Sequence, residues 1–387
     1  MKNQITSALS DFFFEYETPR QVLVRNKRVG LVCRFIQMGV LVYIIGWVFI
    51  YEKGYQSTDT AVSSVFTKMK GVGYTNVSGR ETVWDVADYV FPSQGDSSFV
   101  VMTNFIITEG QKMGKCPELT GKCTSNDDCT EGSYKRTGHG HMTGVCVNTT
   151  KTCEVLAWCP VENDTIIPKP PLLTSAENYT LFIKNSVTFP LFDVTRSNLV
   201  EGIDGAYLKK CLHHPENDPL CPIFKLGDIV KHSGFSFEDL AQEGGAIGIV
   251  IDWTCNFDVD VKHCKPQYNF HGLYGNKDST NASLGYNFRY AKHYMENNEA
   301  KRTLLKLFGI RFDIIVQSLA RKFDIIPTLT AIGSGVGIFG VATVVCDLVL
   351  LYLLPKRKFY KNMKFKYTDT HTQDPDSEAG STETEQK

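Results

Sequence analysis

Two long apolar runs stand out from a chain whose other apolar residues gather in short β-branched and aromatic stretches. Residues 30–51, "GLVCRFIQMGVLVYIIGWVFIY", match the roughly 20 residues a helix needs to cross a bilayer, and Tyr43, Trp47 and Tyr51 gather toward the outer end. Residues 325–354, "IIPTLTAIGSGVGIFGVATVVCDLVLLYLL", are longer than an upright span requires, which predicts tilt or an extension above the bilayer. The first run is too long for a signal peptide, lacks a small-residue cleavage site and follows a basic, aromatic segment. Arg20, Arg25, Lys27 and Arg28 precede the first run, and Lys356, Arg357 and Lys358 follow the second, so both termini are expected in the cytosol. The expected organisation is a cytosolic segment 1–29, spans 30–51 and 325–354, an outer domain 52–324 and a tail 355–387, in a multi-pass protein of the plasma membrane.

Between the spans the pattern is that of strands. "SFVVMTNFIIT", "NYTLFIKNSVTF", "GAIGIVIDWTC" and "LLKLFGIRFDIIV" are β-branched and aromatic runs bounded by Gly, Pro, Asn and Asp. Helical patterning is limited to "TSAEN" and "SFEDLAQE", and no internal repeat is visible. The tail "TDTHTQDPDSEAGSTETEQK" is polar, acidic and aperiodic, the composition of a disordered segment.

The cysteines and glycosylation sequons support an outer location for 52–324. Ten of the twelve cysteines fall there, an even number confined to one compartment. So do all five Asn-x-Ser/Thr sequons, at Asn76, Asn148, Asn163, Asn178 and Asn281. "CTSNDDC" and "CEVLAWC" space their cysteines more widely than zinc sites do, so disulfides fit better. Cys211/Cys221 and Cys255/Cys264 read as local clips, whereas the six cysteines from 116 to 159 allow fifteen pairings. The charge balance, 41 Lys plus Arg against 42 Asp plus Glu, offers nothing toward nucleic acid.

In "SSVFTKMKGVGYT", residues 63–75, a strand would put Lys68 and Lys70 on one face, roughly 7 Å apart, where like charges repel. Lys-x-Lys is common on solvated strands, but two ammoniums on one face also suit a polyanion. The second span carries Thr330, Gly333, Ser334, Gly335 and Gly337, small and hydroxyl residues that serve close helix packing or line a wet axis. Asp347 is an intramembrane carboxylate near the cytosolic end, within reach of the interface. His139 and His141 in "GHGH" are loop histidines first and candidates for a modulatory metal second.

These stretches, taken with "FFEYETPRQVLVRNKRVG", "IGWVFIYEKGYQ", "KMKG", "WDVADYVFPSQGD", "KTCEVLAWCP", "AENYTLFIKNS", "CPIFKLGDIV", "GYNFRYAKHY" and "FGIRFDIIV", resemble the P2X family of ATP-gated cation channels along nearly the whole chain. "IDWTCNFD", "FHGLY" and "IGSGVGIFGVATVVCDL" resemble its subtype 1. The resemblance implies a homotrimer, with two transmembrane helices and a β-rich, disulfide-stapled extracellular domain per subunit. It implies the pairs Cys116–Cys159, Cys123–Cys146, Cys129–Cys153, Cys211–Cys221 and Cys255–Cys264. It also implies ATP, as agonist rather than cofactor, held by Lys68, Lys70 and Thr180 of one subunit and by Asn287, Arg289 and Lys306 of the next. Phe182, Lys184 and Phe288 adjoin those positions.

Thr330, Ala331 and Ser334 are the expected gate, and Tyr360 with Lys364 matches a surface-retention signal. Identical subunits, other subtypes and membrane lipid are the expected partners. With no Walker loop, catalytic base or metal cluster in the sequence, no enzymatic activity is expected. Leu284, Ser318 and Arg321 depart from the family pattern, which bears on the turn before "NFR" and on the flexibility of the segment before the second span. Two alternatives share the topology: an acid-sensing sodium channel, which leaves the lysines unexplained, and an anchored nucleotide-binding receptor or ecto-enzyme, which leaves the polar second span unexplained.

Overall fold

The computed structural model describes residues 27–77, 79–93, 97–273, 285–353, 358 and 361, divided between a unit of 58–322 and a unit built from the stretches on either side. The expectations for Asn281, Leu284, Tyr360 and Lys364 lie outside the described residues.

The terminal unit holds two helices. The first, α1 (Lys27–Val42), runs on as a π-helical segment, Tyr43–Tyr51, and no residue of the apolar stretch Gly30–Tyr51 is buried within the chain. In a bilayer that exposure is the requirement, since lipid and neighbouring helices supply the contacts. The second long helix, Ile325–Leu348, starts where the Asp324 carboxylate accepts a hydrogen bond from the Ile326 N–H at 3.0 Å. Pro327 sits in its first turn, where a missing N–H costs nothing. Ala331, Gly335, Ala342 and Cys346 form its buried stripe, and a Cβ at Gly335 would meet Ile44 Cγ2 at 3.3 Å. Small residues let these two helices approach closely.

The other unit is mostly β. Its strands and those at its margins are β1 (Gln56–Asp59), β2 (Val62–Lys70), β3 (Gly73–Val77), β4 (Arg80–Trp84), β5 (Val90–Phe91), β6 (Ser98–Lys122), β7 (His141–Val147), β8 (Thr152–Cys159), β9 (Thr180–Phe189), β10 (Val194–Ser197), β11 (Ile223–Lys225), β12 (Gly245–Asn256), β13 (Gln267–Gly272), β14 (Asn287–Glu296) and β15 (Glu299–Phe323). A main sheet runs β13-β12-β15-β6-β8-β7, antiparallel except for the parallel pair β12–β15. The 25-residue β15 is its spine: β14 pairs with its first half and β12 with its second. In the smaller sheet, β9 has β2 along one edge and β10 and β11 along the other.

Alternation decides which side chains face solvent. In β9, Leu181, Ile183, Asn185, Val187 and Phe189 are buried, and in β2 so are Thr67 and Met69. The core between the sheets adds Ile247, Ile249, Ile251 and Trp253 from β12 and Phe312 from β15, which stacks on Phe99 at 5.6 Å. A second small core lies around Cys123, Cys129, Cys146, Cys153, Met142 and Val155. Disulfides join Cys116–Cys159, Cys123–Cys146, Cys129–Cys153, Cys211–Cys221 and Cys255–Cys264. The ten outer cysteines are therefore all oxidised, and none offers a thiolate to zinc.

Short helices are where the sequence reading and the structure differ. "TSAEN" forms only a 3-10 turn, Thr174–Asn178, whereas the helix Leu226–His232 lies in a stretch for which the sequence suggested no element. "SFEDLAQE" contains the helix Phe237–Glu243.

One polar cluster ties the two sheets together. Asn185 Oδ1 accepts from the Trp253 indole N–H at 2.7 Å, and Asn185 Nδ2 donates to the Ser64 carbonyl at 3.1 Å. Asn198 Oδ1 accepts from the Asn185 N–H at 2.9 Å, while Asn198 Nδ2 donates to the Ile183 carbonyl at 2.8 Å and reaches the Tyr268 hydroxyl at 3.0 Å. Both asparagines are fully buried. Asn185→Ala strands the indole N–H and the Ser64 carbonyl without water, so it should cost about 2–4 kcal/mol. The thermal midpoint of the detergent-solubilised protein should fall by roughly 5–10 °C, and an unchanged midpoint would show that the cluster is not holding the sheets.

Candidate functional site

The smaller sheet turns a cationic face outward. Because Thr67 and Met69 point into the core, Lys68 and Lys70 must point out, and both are exposed. Register places Lys68 opposite Phe182, Lys70 opposite Thr180 and Phe66 opposite Lys184. On the other side of β9, Ile223 stands opposite Phe182 and Lys225 opposite Thr180. One row therefore reads Lys70, Thr180, Lys225, and the next reads Lys68, Phe182, Ile223. Ile223 and Lys225 escaped the sequence reading, since cross-strand register is not a local signal.

Among the described residues, none of Lys68, Lys70, Lys184 and Lys225 is paired with a carboxylate. Two ammoniums about 7 Å apart in water repel by only about 0.6 kcal/mol, a cost the buried Met69 easily outweighs. The sheet can therefore keep these charges uncompensated.

Gly71 completes the "KMKG" element. Its φ is +154°, and a Cβ there would collide with the Tyr179 ring. That ring lies tilted against Tyr89 with centroids 4.6 Å apart, and the Tyr89 hydroxyl donates to the Gly71 carbonyl at 2.9 Å. Burial of Tyr179 thus fixes both Thr180 beside it and the chain just after Lys70.

Asn287, Arg289 and Lys306 stand together on a different structure, the β14–β15 hairpin, where Arg289 is paired directly with Lys306. Here the cations are held by carboxylates. Arg289 Nε donates to Glu162 Oε2 at 2.6 Å, its terminal nitrogen lies 3.4 Å from Asp164, and Lys306 Nζ donates to Asp164 at 2.6 Å. The hydrogen bond from Lys306 holds the Asp164 carboxyl below its ordinary range. Glu162 is 2% exposed and its buried Oε1 has no partner among the described residues, whereas the Asp164 side chain is 39% exposed. Neither acid was found from the sequence, because "PVENDT" reads as a polar loop until the fold sets it against the hairpin.

Phe288 turns the other way, packing edge-on against Phe91 at 5.3 Å. The start of β14 is set by Gly285, with φ +133° and the Glu243 carbonyl where a Cβ would be. Beside Arg289 lies a cavity of about 320 Å³ lined by Gln111, His139, Trp158, Glu162, Arg289 and Arg302. Arg302 bonds Gln111 at 2.7 Å and lies over the Trp158 ring at 4.7 Å.

The remaining candidates are placed as follows. His139 Nδ1 and backbone N–H both engage the buried Glu118 carboxylate, at 2.7 Å each. Burial alone would raise the Glu118 pKa, but the hydrogen bonds from His139 outweigh it and hold the carboxyl low. His141 is exposed against Tyr134. Asn76, Asn148, Asn163 and Asn178 are exposed. In the second long helix, Thr330 Oγ1 donates to the Pro327 carbonyl at 2.8 Å and Ser334 Oγ to that of Ala331 at 3.0 Å; both residues are on the exposed side, while Ala331 belongs to the buried stripe. Ser318 Oγ accepts from the Ala61 N–H at 2.8 Å and the Arg321 carbonyl from the Phe257 N–H at 2.8 Å, so both departures sit in a paired strand.

The cationic strand face and the hairpin share no hydrogen bond or ion pair among the described residues.

Residues 14–367 match the family described as ATP P2X receptor. The P2X purinoceptor 4 of Bos taurus is 50% identical over 375 residues, covering 95% of this chain and 97% of its own. A solved invertebrate P2X receptor from the Gulf Coast tick, in the presence of ATP and Zn2+, superposes with TM-score 0.75 at 43% identity, covering 82% of this chain and all of its own. The chicken ATP-gated P2X7 receptor channel with the competitive antagonist TNP-ATP superposes with TM-score 0.74 at 37% identity, over 83% of this chain and 99% of its own. The expectation of subtype 1 is corrected by these relatives: it rested on three short stretches, against half-identity with subtype 4 over almost the entire length.

Proposed function

We propose that this chain, which belongs to the ATP P2X receptor family and is therefore an ATP-gated cation channel of the plasma membrane rather than an enzyme, opens when ATP is captured between two neighbouring subunits of a homotrimer. Family membership sets aside the acid-gated sodium channel and the anchored ecto-enzyme. The observation that carries the intersubunit reading is that two cationic groups stand on different sheets of one chain, one on the β2–β9 face with no carboxylate partner among the described residues and one carboxylate-held on the β14–β15 hairpin.

The two groups make complementary offers to a triphosphate of roughly four negative charges. Lys68 and Lys70 bring ammoniums with no competing anion, so their repulsion becomes attraction once phosphates lie across them. Arg289 keeps its Nε on buried Glu162, which orients the guanidinium, and its terminal N–H groups turn to phosphate once Asp164, 3.4 Å from one of them, is displaced. The exposed Asp164 is the carboxylate that phosphate displaces from Lys306. Thr180 and Phe182 give the base a hydroxyl and an apolar face, and Asn287 closes the hairpin side. ATP acts as ligand only.

Transmission follows the covalent chain. Lys306 and Ser318 belong to one unbroken strand that ends at Phe323, and the second long helix begins at Ile325. Drawing neighbouring subunits together around the phosphates pulls on that strand, and ATP shifts the gate by its differential affinity for the open state. The exposed side of the helix, with Thr330 and Ser334, lines the axis for sodium, potassium and calcium, while Ala331 packs within its own chain.

Two measurements test this. A hydrogen bond to a charged group contributes about 1.5–3 kcal/mol, and Lys70 has room for more than one, so Lys70→Ala should cost about 2–4 kcal/mol. In patch-clamp recordings that is a roughly 30- to 1000-fold increase in the ATP concentration needed, and Lys68→Ala should act in the same direction. Surface-expressed mutants with wild-type sensitivity would make the lysines an ordinary solvated face. For the pore, Ser334→Cys should react with a charged external thiol reagent mainly while ATP is present; equal rates with and without ATP would move the gate elsewhere.

A further inference from the structure

The third strand of the cationic face supplies a residue to which no role has yet been given. Lys225 ends β11, directly opposite Thr180, and so stands in the same row as Lys70 with Thr180 between them. Neighbouring strands are about 4.8 Å apart, which puts the Lys225 and Lys70 backbones roughly 10 Å apart across the sheet. The residue is half-buried and has no carboxylate partner among the described residues. Its strand neighbour on the same face is the apolar Ile223, and on the opposite face Phe224 is buried against Tyr268 at 4.9 Å, which fixes the strand.

A half-buried lysine with no carboxylate partner among the described residues, at the far end of a row whose near end is Lys70, has its ammonium left for an acceptor. If the phosphates lie over Lys68 and Lys70 at the outer edge, as proposed above, the rest of the nucleotide extends inward over Thr180 and Phe182 toward β11. What arrives there is the heterocycle, whose flat faces suit Phe182 and Ile223 and whose ring nitrogens accept hydrogen bonds.

We infer that Lys225 is a further nucleotide contact, its Nζ donating to a ring nitrogen of the base, and that it contributes to selection of the base rather than to capture of the phosphates. The inference rests on the phosphate placement at Lys68 and Lys70, and the two can fail separately.

The test compares wild type, Lys225→Ala, Lys225→Met and Lys70→Ala in ATP concentration–response recordings, with surface biotinylation as control. Lys225→Met keeps the aliphatic stem, so it carries the test if the alanine variant fails to reach the surface. ATP, 1-deaza-ATP, 3-deaza-ATP and 7-deaza-ATP, each of the last three lacking one ring nitrogen, serve as probes. Loss of a charge-assisted hydrogen bond should raise the ATP concentration needed roughly 10-fold or more. One deaza analogue should be weakened similarly on wild type, and for that analogue Lys225→Met should add no further loss. A Lys225→Met response to ATP that is unshifted, while Lys70→Ala is shifted, overturns this inference and leaves the phosphate site standing. An equal shift for ATP and all three analogues also overturns it, because Lys225 would then act only through its charge. No shift in either lysine variant overturns the phosphate placement as well.

Discussion

Burial of Met69 and Leu181 on opposed strands is the constraint from which the rest of the site follows. Once these two residues are in the core, a two-residue period leaves Lys68, Lys70, Thr180 and Phe182 no direction but outward, and the register of β2 on β9 sets them in adjacent rows. A slip by one residue would bury two ammoniums without partners, which costs far more than the mutual repulsion of the exposed pair. The cationic face is therefore cheap to build and strongly specified. It is maintained by the core beneath it, and among the described residues no carboxylate pairs with its lysines, which leaves it available for an anion.

In the gating proposed above, the same core links the small sheet to β15. Asn185 lies in β9, between the face that carries Lys184 and the main sheet, and its hydrogen bond from Trp253 reaches β12. The β12 strand runs parallel to the second half of β15, so displacement of the small sheet is felt by the strand that ends at the second long helix. Ser318 and Arg321 sit in that paired stretch, which makes it a stiff connection where glycines would have made a loose one.

Much of this was legible in the sequence because the signals were local. Apolar run length marked the two long helices, β-branched and aromatic runs bounded by Gly, Pro, Asn and Asp marked β6, β9, β12 and β15, and cysteines confined to one segment marked an oxidising compartment. What was not legible depended on contacts between distant segments. Lys225 and Ile223 join the face only through the register of β11 on β9, and Glu162 and Asp164 matter only because the chain after Cys159 passes beside the hairpin. Ala331 and Thr330 are neighbours in sequence yet lie on different sides of a helix, a distinction drawn by Ile44 packing against Gly335 one turn further on. The subtype went astray for the reverse reason, since short matching stretches outweighed the chain as a whole.

The central claim is that each nucleotide is held by Lys70 of one subunit and Arg289 of the next. Linked trimers measure it directly, with one Lys70→Ala and one Arg289→Ala per trimer, arranged to meet at a single interface or to fall at two. If the site is shared between subunits, the first arrangement keeps two intact sites and the second keeps only one, so the second should give clearly weaker responses at every ATP concentration. Identical responses from the two arrangements would contradict the account, placing both residues in one subunit's own site or one of them outside it.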